Sequence, residues 1–255
     1  MSVVAWIGTR TIEGVGRCGN VLELLLESMR WSVRRPFRFR LFVQQCLQVG
    51  VQSIPVVLIT GAFTGMVLAL QTAAAFRLFG AENLIATVVS LSMTRELGPV
   101  LTGLMVAGRV GSAMAAELGT MRVTEQIDAL HTLATNPVQY LVVPRVWAAT
   151  LSLPLLVVFS DIIGILGGKL IAVGMLGTSP ETYFKRAVQF LHFGDIAIGL
   201  IKAALFGMTL SLVGCYEGYN VRGGAREVGI AVNRAVVVSI ALILVLNYLV
   251  TAYSF

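Results

Sequence analysis

Charge is what this sequence lacks most. Asp, Glu, Lys and Arg make up 13% of its 255 residues, about half the roughly 25% of an average soluble domain. Hydrophobic residues reach 56%, and mean hydropathy is +0.84. The shortage excludes a water-soluble globular domain, and the hydrophobicity excludes a disordered chain. Cysteine is scarce as well. Cys18, Cys46 and Cys215 are the only three, with no metal-type spacing such as CxxC, so they read as small apolar residues. The two histidines, His131 and His192, gather no Ser/His/Asp or metal cluster around them in sequence, and no catalytic residue or metal ligand is assigned. A nucleotide-binding loop is missing too. The nearest lookalike, Gly164 to Leu170, has Ile163 where the first glycine belongs and Leu170 where Ser or Thr must hold magnesium. This chain is therefore expected to bind no cofactor itself, and any ATP and Mg must sit in a partner subunit.

What is present is a set of long apolar runs. Five of them, at 53–76, 84–116, 146–176, 196–215 and 235–255, match the ~20 residues that cross ~30 Å of hydrocarbon at 1.5 Å per residue. The expected architecture is an all-α integral membrane protein, with residues 1–50 as a cytoplasmic, amphipathic N-terminal region and 51–255 as a five-span domain. Arginines fix the orientation. Arg10, Arg17, Arg30, Arg34, Arg35, Arg38 and Arg40 precede the first span, Arg122 and Arg145 lie between the second and third, and Arg222, Arg226 and Arg234 between the fourth and fifth. The opposite side has only Arg77, Lys185 and Arg186. By the positive-inside rule the N-terminus is cytoplasmic and the C-terminus outside. The net charge of +6 reports this asymmetry and does not point to nucleic acid.

In the first 50 residues, Leu22, Leu25, Leu26 and Met29 recur at helical spacing beside Glu23, Glu27 and Arg30. Arg34, Arg35, Arg38 and Arg40 follow, interleaved with Phe37, Phe39 and Phe42. The pattern fits a helix lying in the headgroup layer with arginines on phosphates; it fits equally a cytoplasmic helix packed on the protein itself.

Small residues recur every fourth position within the spans: Gly61, Gly65, Ala69 and Ala73; Gly103, Ala107, Gly111 and Ala115; Gly199, Ala203, Gly207 and Ser211. Such ladders let helix backbones approach closely in lipid. Several charges interrupt the same spans. Arg95 and Glu96 precede Pro99, whose missing N–H should break the helix, and a break exposing backbone is tolerated only where protein or a polar cavity satisfies it. Arg95, Glu96 and Lys202 are accordingly expected at a cavity. For Arg109, Asp161 and Lys169, a structural ion pair and a functional role both remain open.

One cytoplasmic loop stands out. In 119–137, Thr124 is an expected N-cap, Glu125 and Asp128 suit a first helical turn, and Asn136-Pro137 stops the helix. Ile127, Leu130 and Ala134 make an apolar stripe. The expectation is a short amphipathic helix over 124–136, stabilised by docking into another protein's groove.

The stretch Thr120-Met-Arg-Val-Thr-Glu-Gln-Ile-Asp-Ala-Leu130, with the Asn-Pro and Pro144-Arg145 that follow and the Arg95-Glu96-Leu97-Gly98-Pro99 segment, resembles the MlaE/YrbE permease family over nearly the whole chain. Members of that family are membrane subunits of MCE-type ATP-binding-cassette lipid transporters. The resemblance implies a homodimer in the bacterial inner membrane, moving phospholipid between inner and outer membranes and preserving outer-membrane lipid asymmetry. It implies as partners a cytoplasmic ATPase, a hexameric periplasmic MCE-domain protein and a small STAS-domain protein. Residue by residue, it places Arg95, Glu96, Leu97, Lys202, Leu70 and Gln71 at a lipid cavity, and Glu125, Gln126, Ile127, Asp128, Ala129 and Leu130 in a helix coupled to the ATPase. His131 and Asn136 depart from residues common in the family at those positions.

Two other classes compete. A membrane-embedded lipid-modifying enzyme would need an acid/base pair such as Asp161 and Glu96. A secondary transporter would accommodate the embedded charges, but the five spans show no inverted repeat and the cytoplasmic helix would be left without a role.

Overall fold

The computed structural model describes residues 3–32, 39–77, 80–81, 84–175 and 177–254, and every regular element among them is helical. In chain order they are α1 (Val3–Ser32), α2 (Phe39–Val49), a 3-10 turn (Val51–Ser53), α3 (Ile54–Arg77), α4 (Ile85–Ser92), α5 (Gly98–Val106), α6 (Ser112–Val123), α7 (Gln126–Thr132), α8 (Val143–Gly174), α9 (Pro180–Gln189), α10 (Phe193–Tyr219) and α11 (Ala225–Ser254). Five helical segments are long and apolar enough to cross a membrane: Phe39–Arg77, Ile85–Val123, Val138–Gly174, Phe193–Tyr219 and Ala225–Ser254.

The first of these begins well before residue 53, where the uncharged run starts. The glutamines Gln44, Gln45 and Gln48 disguise α2 in the sequence, yet α2 joins α3 through Gly50 and the 3-10 turn. Of the expected N-terminal region, α1 is separate from this continuous helical segment and α2 leads into it. Arg34, Arg35 and Arg38 lie outside the described residues; Arg40 is exposed on α2.

Wide π turns interrupt the second and third spans at Met93–Leu97, Ala107–Gly111 and Val138–Val142. Two have a cause in sequence. Pro99 and Pro144 each follow a π turn by two residues and have no N–H to return to the carbonyl four residues back, so the ladder widens instead of closing.

The glycine ladders are where backbones touch. A Cβ on Gly65 would collide with the Gly164 carbonyl, and one on Gly61 would stand 2.9 Å from Ser160 O, which binds α3 to α8. A Cβ on Gly207 would stand 2.5 Å from Ala149 O, one on Gly214 2.9 Å from Gly111 O and one on Gly218 2.7 Å from Ala115 O, contacts that set α10 against α8 and the second span. Leu118, Leu153, Phe206 and Leu210 are fully buried in the resulting core. By contrast α11 is buried only along Ala231, Ala235, Ser239 and Ile243, a single seam at four-residue spacing.

At one end of the bundle, α1 is tied down by Leu24 in the core, by Asn20 Nδ2 donating to the Tyr216 hydroxyl at 3.3 Å, and by Trp147 Nε1 donating to Ser32 Oγ at 2.7 Å. Its Leu22, Leu26 and Met29 stay exposed. The loop helix α7 is shorter than the expected 124–136. Thr124 does not cap it, since its hydroxyl returns to Thr120 O at 2.9 Å; Glu125 takes that position in a left-handed conformation, φ 58°. Asn136 opens the following helix instead of closing this one, its Oδ1 accepting from Val138 N–H at 2.8 Å. At the other end, Tyr183 of α9 is buried and donates to Ile165 O at 3.2 Å, and that burial holds its hydroxyl pKa above the ordinary range.

Backbone contact at Gly65 leaves no flexible atom to yield. Gly65→Ala should therefore lower stability by about 1–3 kcal/mol, read as a drop in thermal unfolding temperature in detergent. Gly229→Ala, which meets nothing within 4 Å, should be neutral or slightly stabilising.

Candidate functional site

Pro99 cannot donate to the carbonyl of Arg95, and that orphaned oxygen organises a polar cluster between the second, fourth and fifth spans. Lys202 Nζ reaches across from α10 and donates to Arg95 O at 3.1 Å, to Glu96 Oε1 at 2.7 Å and to Thr251 Oγ1 at 2.7 Å. Its three protons are thus committed, and the side chain is 1% exposed. Glu96 keeps a further partner on α11, with Asn247 Nδ2 donating to Oε2 at 3.0 Å; the Thr251 hydroxyl lies 3.0 Å from Oε1. The carboxylate remains 38% exposed, so the anion, and not the ammonium, faces outward.

The neighbouring Arg95 points elsewhere. Its Nε and Nη2 both donate to Asp195 Oδ1, at 2.7 and 2.6 Å, while Asp195 Oδ2 accepts the His192 N–H at 3.0 Å and so caps α10. Adjacent residues of one π turn therefore form separate ion pairs with α10. The geometry follows from spacing: Asp195, Gly199 and Lys202 lie on one helical face, and Gly199 lets that face press its backbone against the Thr94 carbonyl. Asp161 of α8 closes the turn from behind. Its Oδ1 abuts Gly98 and has no hydrogen-bond partner among the described residues.

Beside this cluster, Phe63, Thr64, Val67, Leu68, Gln71 and Leu97 line a recess of about 330 Å³ between α3 and the π turn. Gln71 and Leu97 thus share one cavity. Leu70 is exposed on the same helix without lining it. The site offers an apolar wall, one amide, and a carboxylate and a guanidinium that are each half-exposed.

The other embedded charges are held differently from Arg95, Glu96 and Lys202. Arg109, Asp161 and Lys169, for which a structural ion pair was open, form none among the described residues. Lys169 Nζ sits 4.6 Å from the Phe184 ring centroid, and Arg109 bonds to neutral groups. Asn247 and Thr251 were not anticipated, because they lie in the cleanest apolar run and bear no charge.

At the opposite end, Ile127 is fully buried and Leu130 packs on the core, so the apolar stripe anchors α7 to its own chain. Glu125, Gln126, Asp128 and Ala129 face out, with Leu133 73% exposed beside them. Asp128 pairs with Arg122 Nη1 at 2.6 Å. Arg145, 7% exposed, pairs with Glu117 at 2.8 Å under the same end. Among the described residues no group of His, Cys, Asp and Glu is arranged to hold a metal.

Comparison with known proteins adds the family context. Residues 42–253 match the family model described as Permease MlaE. The chain is 51% identical over 255 residues to a probable ABC transporter permease protein of Rickettsia prowazekii, covering 100% of this chain and 98% of the relative. It is 43% identical over 213 residues to a probable ABC transporter permease protein of Synechocystis, covering 84% and 81%. It is 37% identical over 256 residues to the intermembrane phospholipid transport system permease protein MlaE of Haemophilus influenzae, covering 100% and 98%.

Removing one member of the Lys202–Glu96 pair leaves an uncompensated charge in the bundle. Lys202→Met should cost about 3 kcal/mol in detergent unfolding, and Glu96→Gln with Lys202→Met should recover part of that loss. Asp128→Asn, which breaks an exposed pair, should cost less than about 1 kcal/mol.

Proposed function

This chain belongs to the MlaE permease family, and from that membership we propose that it is the membrane subunit of an ATP-binding-cassette transporter carrying phospholipids between the inner and outer membranes. In this reading it works as a homodimer in the inner membrane and helps keep the outer membrane asymmetric. ATP is hydrolysed by a cytoplasmic partner, and a periplasmic hexameric MCE-domain protein and a STAS-domain protein complete the assembly. The observation that carries the reading is the union of an apolar recess with a half-exposed guanidinium, Arg95, and a half-exposed carboxylate, Glu96, at one π turn. A phospholipid presents two apolar tails and a charged headgroup, and the recess at Gln71 and Leu97 beside Arg95 and Glu96 suits both parts. The Haemophilus relative is named for phospholipid transport, which supports the same substrate class.

Orientation follows from the arginines: α1, α7 and the α10–α11 connection face the cytoplasm, and the C-terminus is periplasmic. Leu22, Leu26 and Met29, exposed on one face of α1 beside Arg30, support seating this helix in the headgroup layer, with Arg34, Arg35, Arg38 and Arg40 on lipid phosphates. On the cytoplasmic end, α7 is the coupling helix. Its core-anchored Ile127 and Leu130 transmit force to the spans, while Glu125, Gln126, Asp128 and Ala129 meet the ATPase. A rigid lever needs one face bonded to its own chain and the other free, and α7 has both.

A photocrosslinker at Leu97 in the membrane-embedded protein should capture phospholipid, well above the labelling at the lipid-facing Leu244. Equal labelling at the two positions would remove the recess from the lipid path. Asp128→Arg should reduce co-purification of the ATPase by about tenfold, with the chain still folded by its unfolding temperature; undiminished co-purification would take α7 out of the contact.

A further inference from the structure

Fourteen residues beyond Arg95 on the same span, about 20 Å along a helix, a second cleft opens around Arg109, with Val49, Val110 and Met114 among polar side chains. Gln45, Gln48 and Gln52 bring one face of α2 and the adjoining turn to it at three- and four-residue spacing, and Arg109, Ala113 and Glu117 form the facing wall. The cleft holds about 230 Å³, smaller than the ~300 Å³ at which pockets for drug-sized ligands begin, so it has room for a headgroup and not for a whole lipid. The opposite face of α2, with Phe42, Val43, Cys46 and Leu47, lines an apolar groove against α8. Gln45, Gln48 and Gln52 therefore share the cleft side of α2 and its adjoining turn, opposite the apolar groove, and polar groups at the edge of a membrane segment are costly without a task.

Arg109 is the cation whose charge this arrangement leaves unanswered. Arg95, Lys202, Arg145 and Arg234 each have a carboxylate partner. Arg109 has none among the described residues. Its Nη1 donates to Gln48 O at 3.2 Å and to Ser53 Oγ at 2.7 Å, and Nη2 donates to Gln52 Oε1 at 2.9 Å. Those neutral acceptors hold the guanidinium still without cancelling its charge. Nε–H and one Nη2–H have no acceptor among the described residues, and guanidinium N–H groups are the donors that match the oxygens of a phosphate. The acid in the cleft, Glu117, is engaged by Arg145 at 2.8 Å, which lessens its repulsion of an anion.

We propose that this cleft is a second phosphate-binding station, holding the phosphodiester headgroup of a phospholipid in the leaflet opposite the Arg95–Glu96 cluster. The inference rests on the phospholipid reading above and adds to it a separate binding point at the α2–α3 hinge. A lipid phosphate seated on Arg109 touches the second π turn and the Gly50–Ser53 turn together, so occupancy would be felt by the first and second spans at once.

The test uses the full chain with its co-purifying partners, reconstituted in vesicles of phosphatidylethanolamine and phosphatidylglycerol carrying ³²P-labelled phospholipid. Photocrosslinkers are placed singly at Ala113, in the cleft, and at Gln71, in the recess. Both positions should label. Arg109→Gln, which keeps hydrogen bonding to the hinge but removes the charge, should cut labelling at Ala113 by about tenfold while labelling at Gln71 persists, and Arg109→Lys should retain most of it. Excess inorganic phosphate should not compete. Labelling at Gln71 with none at Ala113, or Ala113 labelling that survives Arg109→Gln, would overturn the second station and leave the proposed function standing. Loss of Ala113 labelling to inorganic phosphate would assign the cleft to a free anion and overturn the lipid assignment. Absence of labelling at both positions would count against the phospholipid reading itself.

Discussion

In hydrocarbon every polar group must find its partner inside the protein, and in this chain that requirement is concentrated at one missing N–H. Pro99 leaves the Arg95 carbonyl without its helical donor, and Lys202 supplies the replacement from another helix. Once Lys202 is there, its ammonium needs anions and acceptors; Glu96, Thr251 and, through Glu96, Asn247 are drawn around it. The second, fourth and fifth spans are thereby joined by one hydrogen-bonded cluster. Arg95, turned away by the same π turn, joins Asp195 and caps α10. A single backbone defect thus sets the register of three helices and leaves two charges half-exposed beside an apolar recess.

Close backbone packing makes that arrangement possible. Lys202 and Asp195 can reach the π turn only because Gly199 between them lets α10 touch Thr94, and the same device at Gly65, Gly207, Gly214 and Gly218 holds the rest of the bundle. Helices joined by backbone contact in lipid keep little apolar surface for burial elsewhere. Much of α3, α8 and α11 consequently remains exposed, with Ile59, Phe63, Leu155, Leu170 and Tyr248 directed outward. Such surface suits lipid, or a second copy of the chain, and would be untenable in water.

Much of this could be read from the sequence because it depends on local pattern. The apolar runs located five helices, and the four-residue ladders named Gly61, Gly65, Ala69 and Ala73, all of which are buried. The break at Pro99 followed from its missing donor. Pairing was not legible, because each partner comes from about a hundred residues away: Arg95 and Glu96 are neighbours, yet they diverge to Asp195 and Lys202. Asn247 and Thr251 bear no charge, and the glutamines of α2 hid the helix that leads into the first span. The stripe of Ile127 and Leu130 was correctly apolar, but periodicity alone does not say whose core it enters; here it is the chain's own. Placement of the lipid-cavity and coupling roles on particular residues came from family resemblance and still rests on it.

The proposed function is phospholipid passage powered by a partner's ATP hydrolysis. The most direct measurement is transfer of a fluorescent phospholipid from donor to acceptor vesicles by the complex purified through this chain, with and without ATP. Transfer should require ATP and be lost when Glu96 and Lys202 are both replaced by apolar residues in a chain that still assembles. Transfer that proceeds equally without ATP, or no transfer by a complex whose ATPase is active, would contradict it.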